Sequence, residues 1–172
     1  MTFTEMCSAC DTHCEKSSSP IGQALEKCIS RAMAAQRVTV GVQECAKLLG
    51  CAPERVMLCL IPDMNSSPDV GMHIQHTLVR SFCWENDIRL LTVKDTDKLR
   101  SLLDSAREDV ASPSADEGSK TKEGESQPSN ASCVLVEMPK EDLSLDEEFI
   151  CNYHDTIIYS DIYPKPIIQL PV

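Results

Sequence analysis

The stretch Asp69 to Ile88, DVGMHIQHTLVRSFCWENDI, constrains the chain most, because it is apolar over more of a helix's circumference than one buried face requires. Ser67 and Pro68 precede it as N-cap and first helical residue, and Asp69 suits the positive end of the helix dipole. At about 100° per residue, Val70, Ile74, Leu78 and Phe82 make one continuous stripe, which predicts the face packed on a core. Met72, Val79 and Cys83 continue the apolar surface beside it, while His73, His76 and Arg80 gather on the remaining side. A helix of this kind touches two things, such as a sheet beneath and another helix or a second chain beside it. The expected function is therefore contact rather than chemistry.

The rest of the chain supplies the sheet. Ser19 and Pro20 open a helix in which Ile21, Ala24, Leu25, Cys28, Ile29, Ala32 and Met33 recur at helical steps. Val38 to Val40 allows a short strand, and Gly41 begins a helix carrying Val42, Cys45, Ala46, Leu48 and Leu49, with Gly50 as its C′ residue. Arg55 to Ile61 is a continuous apolar run between prolines, the pattern of a strand buried on both faces. Ile88 to Val93 and Ser132 to Met138 read as further strands, and Asp95 to Asp109 as a helix. Leu143, Leu145, Phe149, Ile150 and Cys151 give a weaker helical pattern, and Tyr153 to Val172 reads as an extended segment broken by Pro164, Pro166 and Pro171. Alternating helices and buried strands predict an α/β fold, a single three-layer α/β/α sandwich with a mostly parallel central sheet over residues 19–172. Residues 1–18 are expected to be a disordered tail. A second disordered stretch, an acidic insertion, is expected at about 107–131, where large apolar groups are nearly absent from Val110 to Asn130.

Charge follows this division. Of the net −11, the first 103 residues carry only −1, residues 104–125 carry −4 and residues 126–172 carry −6. Acidic surface of this kind repels nucleic-acid backbone and suits basic protein partners. No apolar run reaches about 18 residues and no basic flank precedes an apolar core at the N-terminus, so a soluble intracellular chain without a membrane span is expected. Among the ten cysteines, Cys28, Cys45, Cys59 and Cys83 fall at apolar-periodic positions, where a reduced thiol acts as a small hydrophobe.

Chemistry-bearing motifs are weak. There is no G-x-S-x-G elbow, no phosphate loop and no H-E-x-x-H, and six glycines leave little material for a nucleotide-binding turn. Cys7, Cys10, His13 and Cys14 crowd into eight residues without a distant second pair, and His73 and His76 lack a third ligand, so no metal and no cofactor is expected. Cys45 and Cys83 are mid-helix and apolar in setting, where packing is the better reading than nucleophilic attack. Trp84 ends the long apolar helix either as part of a turn or as an exposed aromatic contact.

Val38-Thr-Val-Gly-Val-Gln-Glu-Cys-Ala-Lys-Leu-Leu49, Val56-Met-Leu-Cys-Leu60, His73 to Ile88 and Cys133-Val-Leu-Val136 together resemble the growth-arrest and DNA-damage-inducible (Gadd) family of small acidic stress proteins, and Ile168-Gln-Leu-Pro171 is similar to the family's C-terminus. The resemblance implies a fold similar to kink-turn-binding ribosomal proteins and no enzymatic activity. It implies an adaptor, nuclear and cytoplasmic, that binds and activates a MAP kinase kinase kinase upstream of p38 and JNK. Further implied partners are the mitotic cyclin-dependent kinase with cyclin B, a cyclin-dependent kinase inhibitor and the DNA sliding clamp, with outcomes in growth arrest, apoptosis and DNA repair. It also implies homodimers and family heterodimers through the helices at Gly41–Leu49 and Asp69–Asp87, which places Val42, Cys45, Met72, His76, Val79, Cys83 and Trp84 at an interface. On this reading Val79→Glu charges the dimer seam and Ile74→Glu unfolds the domain.

The departures from the family pattern matter. The family's acidic loop before the long helix is reduced here to Asp63 and Asp69, which weakens the kinase contact that loop implies; acidic partner-binding loops are expected at Asp63, Asp69, Asp104, Glu108, Asp109, Asp116 and Glu117. Trp84 stands where other members carry Cys, the insertion after Asp104 is longer, and Asp142 to Tyr163 diverges, with Tyr163-Pro164 in place of Trp-Val-Pro. The fold relatives suggest an alternative, because Gly41, Glu44 and Lys47 keep the spacing of a kink-turn RNA signature. A net charge of −11 without a basic stripe or nearby stacking aromatics argues against it.

Overall fold

The computed structural model describes residues 19–64, 69–110 and 131–171. The tail expected at 1–18, the Cys7, Cys10, His13 and Cys14 set within it, Ser67 and Pro68, and Asp116 and Glu117 lie outside the described residues.

Helix α1 (Pro20–Ala34) starts as its sequence predicts, with Ser19 Oγ accepting from Gly22 N at 3.3 Å and Pro20 in the first turn. Strand β1 (Val38–Val40) leads through Gly41 into α2 (Val42–Cys51), and a 3₁₀ turn (Pro53–Arg55) leads into β2 (Val56–Pro62). Helix α3 (Val70–Glu85), β3 (Arg89–Val93), α4 (Thr96–Val110), β4 (Val134–Glu137), α5 (Leu145–Tyr159) and β5 (Ile167–Ile168) complete the chain. Strand β2 is buried at all seven positions, as its unbroken apolar run predicts.

The sheet order is β1-β4-β2-β3-β5. Pairs β2/β3 and β3/β5 are parallel, whereas β4 is antiparallel to both β1 and β2. Four strands therefore run one way, and β4, inserted between β1 and β2, runs against them. The sheet is mixed, and the expected mostly parallel arrangement holds only loosely, because β4 makes both of its pairings antiparallel. A helix between two strands says only that the chain leaves the sheet and returns. The direction of return is set outside the helix, and the chain re-enters the sheet at β4 antiparallel to β2.

Strand alternation sends Leu58, Leu60, Val134 and Val136 to one face, under α1, α4 and α5, where Leu25, Ile29, Leu99, Leu103 and Ile150 join them. Cys59, Ile61, Cys133 and Leu135 face the other way and pack with Cys45, Leu49, Val79 and Cys83 of α2 and α3. The result is the expected three-layer sandwich. Gly22 is required where α1 passes the C-terminal segment, because a Cβ there would run into the carbonyl oxygen of Gln169.

Several boundaries differ from the sequence reading. Asp69, not Ser67, caps α3, its Oδ1 accepting from Met72 N at 3.2 Å. Gly50 lies inside α2, whose C-cap is Ala52. Residues 107–110, assigned to the insertion, complete α4, and Ala131 at its other end is buried. Tyr153 to Tyr159, assigned to an extended tail, form the second half of α5. Only Ile167–Ile168 of that tail pairs, as an edge strand.

Candidate protein-interaction surface on α3

The two apolar stripes of α3 are exchanged relative to the expectation. His76, Val79 and Cys83 are buried in the core shared with α2, and Met72 and Phe82 are half-buried. Val70, Ile74 and Leu78, which the sequence reading places in the core, are exposed at 68, 57 and 65%. The reason is visible at His76. Its Nε2–H donates to the carbonyl oxygen of Ser132 at 2.7 Å, satisfying a backbone acceptor just before β4 that an aliphatic side chain would strand. Burial holds the imidazole below its ordinary pKa of 6.5, so it is neutral in place.

Of the residues expected at an interface, Cys45, His76, Val79 and Cys83 are buried in this chain's own core. Val42 and Met72 are half-buried, with Val42 packed against that core. Trp84 alone of the seven is well exposed, at 75%. The histidine pair is also separated: His73 is exposed and His76 is buried. Among the described residues no group of three or more His, Cys, Asp or Glu is placed to hold a metal ion.

What α3 offers instead is an aliphatic ridge. Val70, Ile74 and Leu78 follow one another at four-residue intervals, so they form a contiguous patch rather than scattered exposures. The buried thiols Cys28, Cys45 and Cys59 offer no comparable chemistry, while the Cys133 thiol is pushed down by the hydrogen bonds it receives from Cys45 and Cys59. Cys45 Sγ is held at 3.5 Å from the carbonyl oxygens of Thr39 and Cys133. Hydrogen bonding to Cys133, with burial, pushes the Cys45 and Cys59 thiols up, and Cys59 bonds Cys83 as well. Burial, with Glu147 nearby, pushes Cys28 up to about 12. Thiols raised in this way hold almost no thiolate at neutral pH and make poor nucleophiles.

The acidic positions are dispersed. Asp63 is half-buried, Asp69 is spent as the α3 cap, and Asp104, Glu108 and Asp109 belong to helix α4 rather than to a loop. The RNA-type signature is accounted for locally. Gly41 takes φ 99° and its N–H donates to Cys133 O at 2.9 Å, a strand-to-helix junction that strains any other residue. Exposed Lys47 turns back to Glu44 at 2.7 Å, which cancels its charge toward a phosphate. The sequence reading missed α5 as a surface. Ser144 and Glu147 form a capping box, and the S-x-x-E spacing was the signal for a strong helix start there.

No protein-family profile matches the chain. Among curated proteins it is 39% identical over 155 residues to growth arrest and DNA damage-inducible protein GADD45 alpha of Felis catus, covering 88% of each chain. It is 38% identical, with the same coverage, to GADD45 alpha of Homo sapiens. To GADD45 gamma of Bos taurus it is 30% identical over 122 residues, covering 70% of this chain and 67% of the relative. At these identities and coverages the chain belongs to the growth arrest and DNA damage-inducible GADD45 family of stress-response proteins, as a divergent member.

Proposed function

We propose that this protein is a non-enzymatic stress adaptor that binds and activates a MAP kinase kinase kinase upstream of p38 and JNK, acting in nucleus and cytoplasm. Its remaining partners are the cyclin B-dependent kinase, a cyclin-dependent kinase inhibitor and the DNA sliding clamp, through which it regulates growth arrest, apoptosis and repair. Membership in a family defined by growth arrest and DNA damage supports the class of function. The observation that carries the contact mechanism is the exposed ridge Val70, Ile74 and Leu78, too apolar to be left in water without a partner. The protein self-associates along this ridge and engages the kinase as that assembly.

The test is a pull-down of the isolated kinase-binding segment of the MAP kinase kinase kinase by wild type and by Ile74→Glu, with sedimentation of each. Capture by wild type and loss of both capture and self-association in the variant is the expected result. A folded, self-associated wild type that captures no kinase segment removes the kinase from the proposal. An Ile74→Glu variant that still self-associates removes the ridge.

A further inference from the structure

A second surface lies on the opposite edge of the sheet from β1. Strand β5 pairs with β3 only at Thr92–Val93, because Pro166 precedes Ile167 and brings no N–H with which to extend the pairing. Below that point no described strand covers β3. The N–H of Leu90, on the same side of β3 as that of Lys94, which donates to Ile168 O, points out of the sheet and is met only by His154 Nε2 at 3.3 Å. This edge is the floor of a groove of about 770 Å³. One wall is the end of α3, with Arg80 and Trp84, and the other is the second half of α5, with Ile158 and Tyr159. Trp84 and Tyr159 are 75 and 88% exposed, so the groove mouth is framed by two aromatic side chains with no partner burying them.

Charge narrows the occupant. Arg80, Arg89 and Lys165 line the groove against Asp87 and Asp155, in a chain whose net charge is −11. Arg89 is committed to Asp155 through two bonds of 3.1 Å, and Lys165 caps α5 by donating to Ile157 O and Ser160 O at 2.7 and 3.0 Å. Arg80 makes one long contact, 3.4 Å to Thr92 Oγ1, and keeps most of its donors. We infer that the groove between α3 and α5 docks an extended peptide of a partner protein, distinct from the α3 ridge. The peptide pairs its backbone with Leu90, its carbonyl oxygen replacing His154 Nε2 as acceptor and its following N–H donating to the Leu90 carbonyl, seats an apolar side chain between Trp84 and Tyr159, and places a carboxylate on Arg80. Nucleic acid does not fit, since among the described residues lining the groove only Arg80 keeps spare donors, too little to hold a run of phosphates.

Trp84 is the only tryptophan, so its emission reports on this groove alone. A displayed library of random decapeptides is selected on the full chain, and the recovered peptides are synthesised, titrated by Trp84 fluorescence and by anisotropy of a labelled copy. The expected peptides alternate apolar and acidic residues, shift Trp84 emission, and lose about tenfold in affinity for Arg80→Glu and for Trp84→Ala while binding Ile74→Glu normally. Methylating alternate peptide amides should abolish binding. Arg80 and Trp84 are exposed, so thermal melts matching wild type will confirm that both variants fold. Failure to recover any peptide, binding indifferent to Arg80→Glu or to N-methylation, or an effect of these variants on sedimentation alone, which would make a second copy the occupant, overturns the inference.

Discussion

On α3, two residues five positions apart are predicted to behave in opposite ways. Val79 is 6% exposed in the core between α3 and the sheet, so Val79→Glu would bury an unpaired carboxylate. The expected loss is on the order of 4 kcal/mol, enough to unfold much of a domain of ordinary stability. Ile74→Glu places the same charge on a ridge already 57% exposed and should leave the monomer's melting temperature nearly unchanged. A thermal melt of both variants, monitored by circular dichroism, decides the orientation of the helix: equal losses would contradict it. His76 adds a pH dependence on the same face. Its folded-state pKa lies below the ordinary 6.5, so the unfolded chain takes up the proton first. The stability it contributes is complete above pH 6.5 and is lost as pH falls from there through the depressed folded value. Urea midpoints should therefore drop between about pH 7.5 and about pH 5.5, and the drop should shrink in His76→Gln, which keeps a donor for Ser132 O but does not titrate.

Among the elements, α5 shows what was and was not legible in the sequence. The helices α1, α2 and α4 and the strand β2 were readable because each carries a single pattern: one apolar stripe, or one unbroken apolar run bounded by prolines. Helix α5 mixes exposed Leu145 and Phe149 with buried Glu147, so hydrophobicity alone points to the wrong face and gives no reason to continue past Cys151. Helix α3 fails for a related reason, since its more apolar stripe faces outward and its core stripe contains a histidine whose partner, a carbonyl 56 residues away, leaves no mark in the sequence. The pairing that fixes α5 is equally remote. Arg37, after α1, reaches Glu147 Oε1 at 2.8 Å and Glu137 O at 2.7 Å, tying α5 to the α1–β1 turn and to β4. Burial alone would raise the Glu147 carboxyl, but the Ser144 N–H and Arg37 guanidinium hold it below its ordinary 4.5. Its contribution is therefore complete above pH 4.5 and lost as pH falls through the lower folded value. Arg37→Ala leaves this carboxylate buried without its cation and should cost about 3 kcal/mol at neutral pH, with a smaller loss in acid, where Glu147 protonates in both forms. A denaturant titration of wild type and variant across that range measures it. A loss independent of pH would mean that Arg37 acts through Glu137 O instead.

For the whole molecule, two terms oppose each other in assembly. The ridge of Val70, Ile74 and Leu78 favours bringing a second copy against α3, while each copy carries a net charge of −11. Apolar contact is short-ranged and barely screened. The repulsion between two acidic chains reaches across a Debye length, which shortens from about 30 Å at 0.01 M salt to about 8 Å at 0.15 M. Self-association along the ridge should therefore strengthen as salt rises over that range, the reverse of an interface held by ion pairs. Ile74→Glu should remain monomeric at every salt concentration, because screening removes the long-range repulsion but not the cost of desolvating a carboxylate against aliphatic side chains. Sedimentation velocity of both proteins across the salt series tests this. Assembly that weakens with salt would mean that the acidic surface finds a cation on the second copy, and Arg80, with its spare donors beside Trp84, would then be the group to neutralise first.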